Sequence, residues 1–165
     1  MTPAGLPVVS PQVGDVAAMV AAENRRFSAA DEAGFRAALA QAGHPLVDQE
    51  VLHDAPGFYA GYYGMETLLS RRGDLDAVYF HNDEMAIGGL AFCQARGLRV
   101  PEDIGIAGWG GMEAASILPR RLTTTMVPTT AIGKAAAEAL VARLTGAMVP
   151  EVTVVPTRLV PGETV

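Results

Sequence analysis

The residues best suited to hold a small molecule follow two short apolar runs in the middle of the chain. His81, Asn82 and Asp83 come directly after the β-prone run 77–80, and the glycine-rich turn 108–111 ends the next such run. An amide offers two donors and one acceptor, which suits a hydroxyl-rich ligand, and an indole can stack on a sugar ring. If the two runs are neighbouring parallel strands, their carboxyl ends form one crevice where ligands bind.

Each of these side chains also has a structural explanation. Asp83 opens a helix and can be a cap that complements the helix dipole without touching a ligand. Asn82 can stabilise its own loop, and Trp109 is the only tryptophan and suits a core position. Both explanations stay open for these residues. The candidate effector-binding set is Asn82, Trp109 and Gly110, with His81 and Asp83 as weaker neighbours.

Motifs of common catalytic and metal sites are absent from the sequence. It contains neither Gly-x-Ser-x-Gly nor His-Glu-x-x-His, and His44, His53 and His81 lack ligand spacing. Cys93 is the single cysteine, which excludes a disulfide or a cysteine-based zinc site within one chain. Glu113 stands where the third glycine of a dinucleotide fingerprint would fall, and its charge would repel a pyrophosphate. We therefore predict no catalytic residue, no metal and no cofactor.

The composition is typical of a packed α/β protein. Of 165 residues, 50% are hydrophobic and 18% charged, which suits one domain or one lobe of a bilobed protein. The net charge is −6 and no basic run exists, so the chain alone is not expected to bind nucleic acid. No leader-like or membrane-spanning apolar run is present, which predicts a soluble, cytoplasmic protein without membrane contact.

Alternating strand-like and helix-like segments predict a Rossmann-like parallel sheet with helices on both faces. The predicted strands are 6–9, one centred on 51–52, 77–80, 104–109, 123–127 and an edge strand within 152–160. Helices are predicted at 15–23, from a cap at Ser28 to a stop at 43–45, from the turn at 56–57 to about 71–73, from 83 to about 96, at 112–117, and from Pro128 to Gly146. The last helix carries an apolar stripe suited to packing against another surface, formed by Ile132, Ala135, Ala136, Ala139, Leu140 and Leu144.

Three motifs occur in one order from about Arg25 onward. They are "GFRAALAQAG" at 34–43, "LDAVYFHNDEMAIGGLAFCQARGLRVPEDIGIAGWGG" at 75–111 and "PRRLTTTMVPTTAIGKAAAEAL" at 119–140. Together they resemble the C-terminal effector-binding region of the lactose-repressor/galactose-repressor (LacI/GalR) family of bacterial transcription regulators. The Trp-Gly-Gly turn at 109–111 is similar to that of the gluconate-repressor branch.

The resemblance implies a type I periplasmic-binding-protein-like fold, in which two Rossmann-like subdomains close on a small effector such as a sugar or sugar acid. Compared with that plan, the resemblance implies a truncated chain. We expect residues 1–24 to be a remnant of the N-terminal subdomain, 25–127 to form the C-terminal effector-binding subdomain, and 128–165 to be a crossover helix and tail belonging to the N-terminal subdomain. Because that helix normally docks on the N-terminal subdomain, we expect its apolar stripe to be exposed in this chain. The family binds DNA as a dimer through a helix-turn-helix headpiece. We therefore expect a homodimer that contacts DNA only through a headpiece absent from this chain.

The resemblance also assigns roles to particular positions. Asn82 matches the family asparagine that hydrogen-bonds the effector, whereas Gly110 and Asp31 stand where many members carry an effector-binding aspartate and arginine. The loss of a carboxylate at position 110 favours an acidic sugar. Two alternatives remain: a stand-alone sugar-binding module resembling periplasmic receptors, and an α/β enzyme of flavodoxin-like architecture.

Overall fold

The computed structural model describes residues 17–22, 28–52 and 57–165. Its strands are β1 (Ala17–Ala22), β2 (Leu46–Leu52), β3 (Ala77–Phe80), β4 (Gly105–Gly110), β5 (Thr123–Met126) and β6 (Arg158–Val160). Its helices are α1 (Ser28–Ala42), α2 (Gly57–Arg71), α3 (Asp83–Arg96), α4 (Glu113–Ile117) and α5 (Thr129–Leu144). The strands form one sheet in the order β2-β1-β3-β4-β5-β6, parallel from β2 to β5 and antiparallel at β6.

The predicted parallel α/β sheet is confirmed, and several element bounds agree closely with the prediction. The strand predicted at 77–80 is β3, and those predicted at 104–109 and 123–127 are β4 and β5 within one residue at each end. The helix α3 also begins and ends as predicted, because Asn82 caps its start and Gly97 adopts φ +72° at its end. Sequence signals close to each end were therefore sufficient to predict the bounds of these elements in the centre of the chain.

The helix predicted at 15–23 is wrong, because Ala17–Ala22 is a strand. The run "AAMVAA" has a high helix propensity, but β1 lies between β2 and β3 and pairs with both. Sheet pairing on two sides satisfies its backbone groups and overrides the local preference. The predicted strand at 6–9 lies outside the described residues. At the chain's end, the strand predicted within 152–160 shortens to β6.

The core lies on the sheet face that α2 and α3 cover. Val78 and Phe80 of β3 point to this face together with Ile106 of β4, and all three are at most 1% exposed. The two helices approach closely at glycines: a Cβ at Gly61 would collide with the Met85 carbonyl, and one at Gly88 with the Phe58 carbonyl.

On the opposite face of the sheet, α1 packs against β3. The ring of Phe35 stacks on that of Tyr79 with 4.6 Å between centroids. Since Tyr79 lies between Val78 and Phe80, it points away from the core that those two residues enter. Helices therefore cover both faces of the sheet.

The chain returns to the sheet after α5. β6 pairs antiparallel with β5, and Thr164 is fully buried beside it. The Thr164 hydroxyl donates to the Ile106 carbonyl at 2.7 Å and accepts from the Thr123 N–H at 2.9 Å. The sheet thus includes strands from both segments that flank residues 25–127, although the predicted division of the chain stays a prediction.

The apolar stripe of α5 is largely exposed, as predicted. No residue of α5 is buried, and Ile132, Leu140 and Leu144 are 42%, 61% and 79% exposed. No other helix or strand of the described chain packs extensively against α5. The stripe has the correct amphipathic spacing, but the surface that would cover it is not among the described residues.

Candidate functional site

The two strand tips singled out in the sequence lie side by side. β3 and β4 are neighbours, with Val78 opposite Ile106 and Tyr79 opposite Ala107. Because the strands are parallel, the residues after Phe80 and those at the end of β4 reach the same edge of the sheet. Strand order reverses between β1 and β3, so the tip of β3 adjoins the position where doubly wound sheets bind ligands.

Asn82 caps α3. Its backbone is extended, and its side-chain Oδ1 accepts a hydrogen bond from the Met85 N–H at 2.8 Å. The cap occupies the amide oxygen and not the side-chain N–H donors. Asn82 is half-buried, so the structural role and a donor role toward a ligand are compatible.

Asp83 connects three elements at this edge. Its carboxylate is 2% exposed. Oδ1 accepts from the Thr124 hydroxyl of β5 at 2.5 Å, and Oδ2 accepts from the Met112 N–H, after β4, at 2.6 Å. These two bonds account for the burial of a charged group, which would be costly without partners. We call Asp83, the Thr124 hydroxyl and the Met112 N–H the Asp83 network.

Packing and backbone conformation require glycine at the end of β4 and in the turn that follows it. A Cβ at Gly108 would lie 2.5 Å from Asp83 Oδ1, so only glycine leaves room for that carboxylate. Gly110 and Gly111 have φ of +125° and +76°, which L side chains rarely adopt. A Cβ at Gly111 would also lie 2.9 Å from Met126 Cγ. The glycine-rich turn therefore accommodates Asp83 and β5.

An open cleft of about 890 Å³ lies beside this turn. Its walls are the first residues of α3, the turn after β4, and the connection from β5 into α5. The lining consists of 83–84, 110–112, 126–131 and Lys134. We call it the carboxyl-edge cleft. Pockets for small ligands commonly have volumes of about 300–1,000 Å³, so this cleft has room for one.

The structure brings Asp83 and Gly110 into the carboxyl-edge cleft, whereas His81, Asn82 and Trp109 do not line it. Trp109 follows Ala107 by two residues and so lies on the Tyr79 face of the sheet, opposite the face on which Asp83 is buried. His81, Asn82 and Trp109 are each half-buried at the same sheet edge. The five predicted residues thus surround the tips of β3 and β4 from both faces.

The sequence did not predict the wall of the cleft that follows β5. Residues 126–131 and Lys134 form this wall, whereas the predicted site residues come only from the tips of β3 and β4. The same topological rule applied to the end of β5 would have identified Pro128, Thr129 and Thr130, because β5 is parallel to its neighbour β4.

The lining contains charges of both signs. Glu84 and Lys134 are exposed, and Asp83 is buried and fully hydrogen-bonded. Lys134 Nζ lies 3.7 Å from Glu138 Oε1, and the two exposed side chains form a weak ion pair. Lys134 is therefore a cation that a ligand in the cleft could reach at low cost.

Metal binding, membrane insertion and thiol chemistry find little support in the described ranges 17–22, 28–52 and 57–165. Within them, no cluster of three or more His, Cys, Asp or Glu side chains could hold a metal ion, and no helix is long and apolar enough to span a membrane. Cys93 is 1% exposed, and burial raises the pKa of its thiol to about 11. At neutral pH the thiol is protonated and packs as a small apolar group.

Comparison with known proteins places this geometry in a family. A family model described as "Periplasmic binding protein-like domain" matches residues 15–165. The HTH-type transcriptional regulator GntR of Escherichia coli K12 is 34% identical over 116 residues, which is 68% of this chain and 34% of that protein.

Solved structures agree with this similarity. Transcription regulator GntR from Chromobacterium violaceum superimposes with a TM-score of 0.82 at 28% identity, covering 90% of this chain and 55% of that one. A complex of transcriptional regulator CelR with cellobiose has a TM-score of 0.80 at 30% identity, covering 90% of this chain and 46% of that one. The chain thus spans about a third of the curated relative and about half of the solved chains.

Proposed function

Because the chain belongs to the periplasmic-binding-protein-like domain family, in the form found in LacI-type transcription regulators, we propose that it binds a sugar or sugar acid at the tips of β3 and β4. The observation that carries the proposal is the carboxyl-edge cleft, of about 890 Å³, at the sheet edge where β3 and β4 end. The CelR relative was solved with cellobiose, a neutral sugar.

The position of the cleft suggests how binding would be sensed. One wall belongs to the sheet and the other to the connection that leads from β5 into α5. A ligand that contacts both walls favours whichever arrangement of α5 gives the better contacts, and so shifts the population toward it. In a regulator, that shift would be transmitted to a DNA-binding region.

DNA binding and assembly are further parts of the proposal. The relatives are named as transcription regulators, not enzymes. We place operator binding in a separate headpiece, since this acidic chain has no basic run to neutralise phosphates. A homodimer and a cytoplasmic location complete the proposal. A mobility-shift assay in which this chain bound operator DNA tightly and in a salt-sensitive manner would contradict it.

Two features favour a sugar acid over a neutral sugar. Gly110 places no carboxylate at the tip of β4, and Lys134 supplies a cation on the opposite wall. Asp83 remains nearby, 3.7 Å from where a Cβ of residue 110 would lie, but its oxygens are taken by the Met112 N–H and the Thr124 hydroxyl. A further carboxylate about 4 Å from an anionic ligand would cost about 1–4 kcal/mol.

Isothermal titration calorimetry with gluconate, glucose and cellobiose tests the proposal. We expect gluconate to bind more tightly than glucose, and Gly110→Asp to weaken gluconate binding by about tenfold or more. Gly110→Asn is the matched control, because it imposes the same backbone strain without the charge. Tight binding of a neutral sugar with gluconate inert would contradict the acidic effector, and the absence of any carbohydrate binding would contradict the function.

A further inference from the structure

We propose that Asp83 is a positioning residue that holds the turn after β4 against β5, whose end leads into α5, and does not itself bind the effector. The consequence for sensing rests on the proposed function. The positioning role does not, because it is a property of the protein without ligand.

The geometry of the Asp83 network carries the proposal. The two carboxylate oxygens bond to different elements, Oδ1 to the Thr124 hydroxyl at 2.5 Å and Oδ2 to the Met112 N–H at 2.6 Å. Asp83 is 2% exposed, and both oxygens face protein groups. A ligand has little access to the carboxylate because Asp83 is almost completely buried, and the two charge-assisted hydrogen bonds hold it in place.

The surrounding residues leave space for this carboxylate and extend its effect. Gly108 leaves room for Oδ1, and Gly111 allows the turn to pack directly on Met126. The Gly110 carbonyl accepts a hydrogen bond from the Val127 N–H at 3.3 Å. A continuous set of contacts therefore runs from the start of α3 through the turn after β4 to residues 126–127.

That path ends at the wall of the carboxyl-edge cleft. Residues 127–131 form the connection into α5 and its first turn, and they share the cleft with 110–112. Asp83 bonds to the Met112 N–H of the turn and to the Thr124 hydroxyl of β5, and so fixes the spacing between the turn and the start of the connection. If a ligand moves the turn, the connection must move with it, because the Asp83 network and the Gly111–Met126 contact join them.

Two pairs of variants separate positioning from general stability. Thr124→Val removes the hydroxyl at nearly constant volume, whereas Thr124→Ser keeps the hydroxyl. Asp83→Ala removes both bonds. Asp83→Asn can preserve both, since its Oδ1 accepts from the Met112 N–H and its Nδ2 donates to the Thr124 hydroxyl.

Amide hydrogen exchange of the ligand-free full chain, measured beside its urea unfolding, is the test. We expect Thr124→Val to accelerate exchange about tenfold or more at Met112 and at the hydrogen-bonded amides within 127–132, which are those of Val127, Thr129 and Ile132, with β3 and α2 unchanged. Thr124→Ser and Asp83→Asn should resemble the wild type. These three amides are the decisive readout, because they bond to the carbonyls of Gly110, Val127 and Pro128 and not to Asp83.

The inference is overturned if Thr124→Val exchanges like Thr124→Ser at 127–132, or if its acceleration is uniform across the sheet. If Asp83→Ala fails to fold, the comparison of Thr124→Val with Thr124→Ser still tests the positioning role. The exchange result is independent of carbohydrate binding. An absence of gluconate binding in calorimetry would therefore count against the proposed function and not against the positioning role.

Discussion

The sheet and α5 contain similar residues but differ in burial. Leu68 of α2 is fully buried between the sheet and α3, whereas Leu144 of α5 is 79% exposed. Both helices carry an apolar stripe with helical spacing, and α5 contains no helix-breaking proline. The difference therefore lies in what faces each stripe.

This comparison shows that amphipathic spacing reveals only that a helix has an apolar face. α2 meets α3 at glycines that allow close approach, while the described chain offers α5 no comparable surface. In the relatives, about half of each solved chain lies outside the region that this chain matches. We propose that the face of α5 packs on such a region in an intact regulator.

The largest difference in the free energy of unfolding should appear when a leucine in each region is truncated to alanine. Leu68→Ala removes a fully buried side chain and should lower the free energy of unfolding by about 2–5 kcal/mol. Leu144→Ala, its matched control in α5, should change it by about 0.5 kcal/mol or less. Urea unfolding followed by circular dichroism measures both, and comparable losses would show that α5 is packed in solution.

Glycine-to-alanine substitutions should change the free energy of unfolding in opposite directions in the two regions. A Cβ at Gly88 would strike the backbone of Phe58 and Tyr62, so Gly88→Ala should destabilise by about 1–3 kcal/mol. A Cβ at Gly133 meets nothing within 4 Å, so Gly133→Ala should stabilise by about 0.5–1 kcal/mol. Thermal melts of both variants are sufficient, and a destabilising Gly133→Ala would reveal a partner for α5.

The exposed face of α5 should promote self-association. Ile132, Leu140 and Val141 are at least 42% exposed, and Met148 after the helix is 99% exposed. We expect light scattering to show a mass that rises with protein concentration, and Leu144→Glu to reduce that rise. Gln41→Glu adds the same charge at an exposed position of α1 and should not. A monomer at every concentration with a sharp melt would contradict the expectation.

The smallest effect should be a pH dependence of the free energy of unfolding that comes from Asp103, between α3 and β4. Hydrogen bonds from the Arg99 guanidinium and backbone N–H lower the pKa of Asp103 from 3.8 to about 2. Because the folded pKa is the lower one, this contribution is present above about pH 4 and is lost as the pH falls toward 2.

Carboxyl titration by NMR measures the pKa of Asp103 directly, and Arg99→Gln should return it toward 3.8. Asp103→Asn should flatten the stability profile between pH 4 and 2, by a small amount because the pair is solvent-exposed. An Asp103 pKa that is unchanged in Arg99→Gln would show that the pair is not formed in solution.

The sequence predicted those parts of the site that depend on neighbouring residues. The end of α3 at Gly97 and the strands that precede both loops follow from local rules, whereas the predicted cap at Asp83 is wrong by one residue because Asn82 caps the helix. The sequence did not reveal that Asp83 reaches Thr124, because the two residues are 41 positions apart and meet only through the pairing of β4 with β5. The wall at 126–131 was missed for a similar reason.

By itself the sequence determined the α/β class, the parallel sheet and the two strand tips that we propose bind a ligand, because strand-to-helix alternation and end signals are encoded within a few residues of each other. Only the tertiary structure decided that Ala17–Ala22 is a strand and that Asp83 bonds to two other elements. Each of these depends on residues distant in sequence, where pairing and packing outweigh local preference.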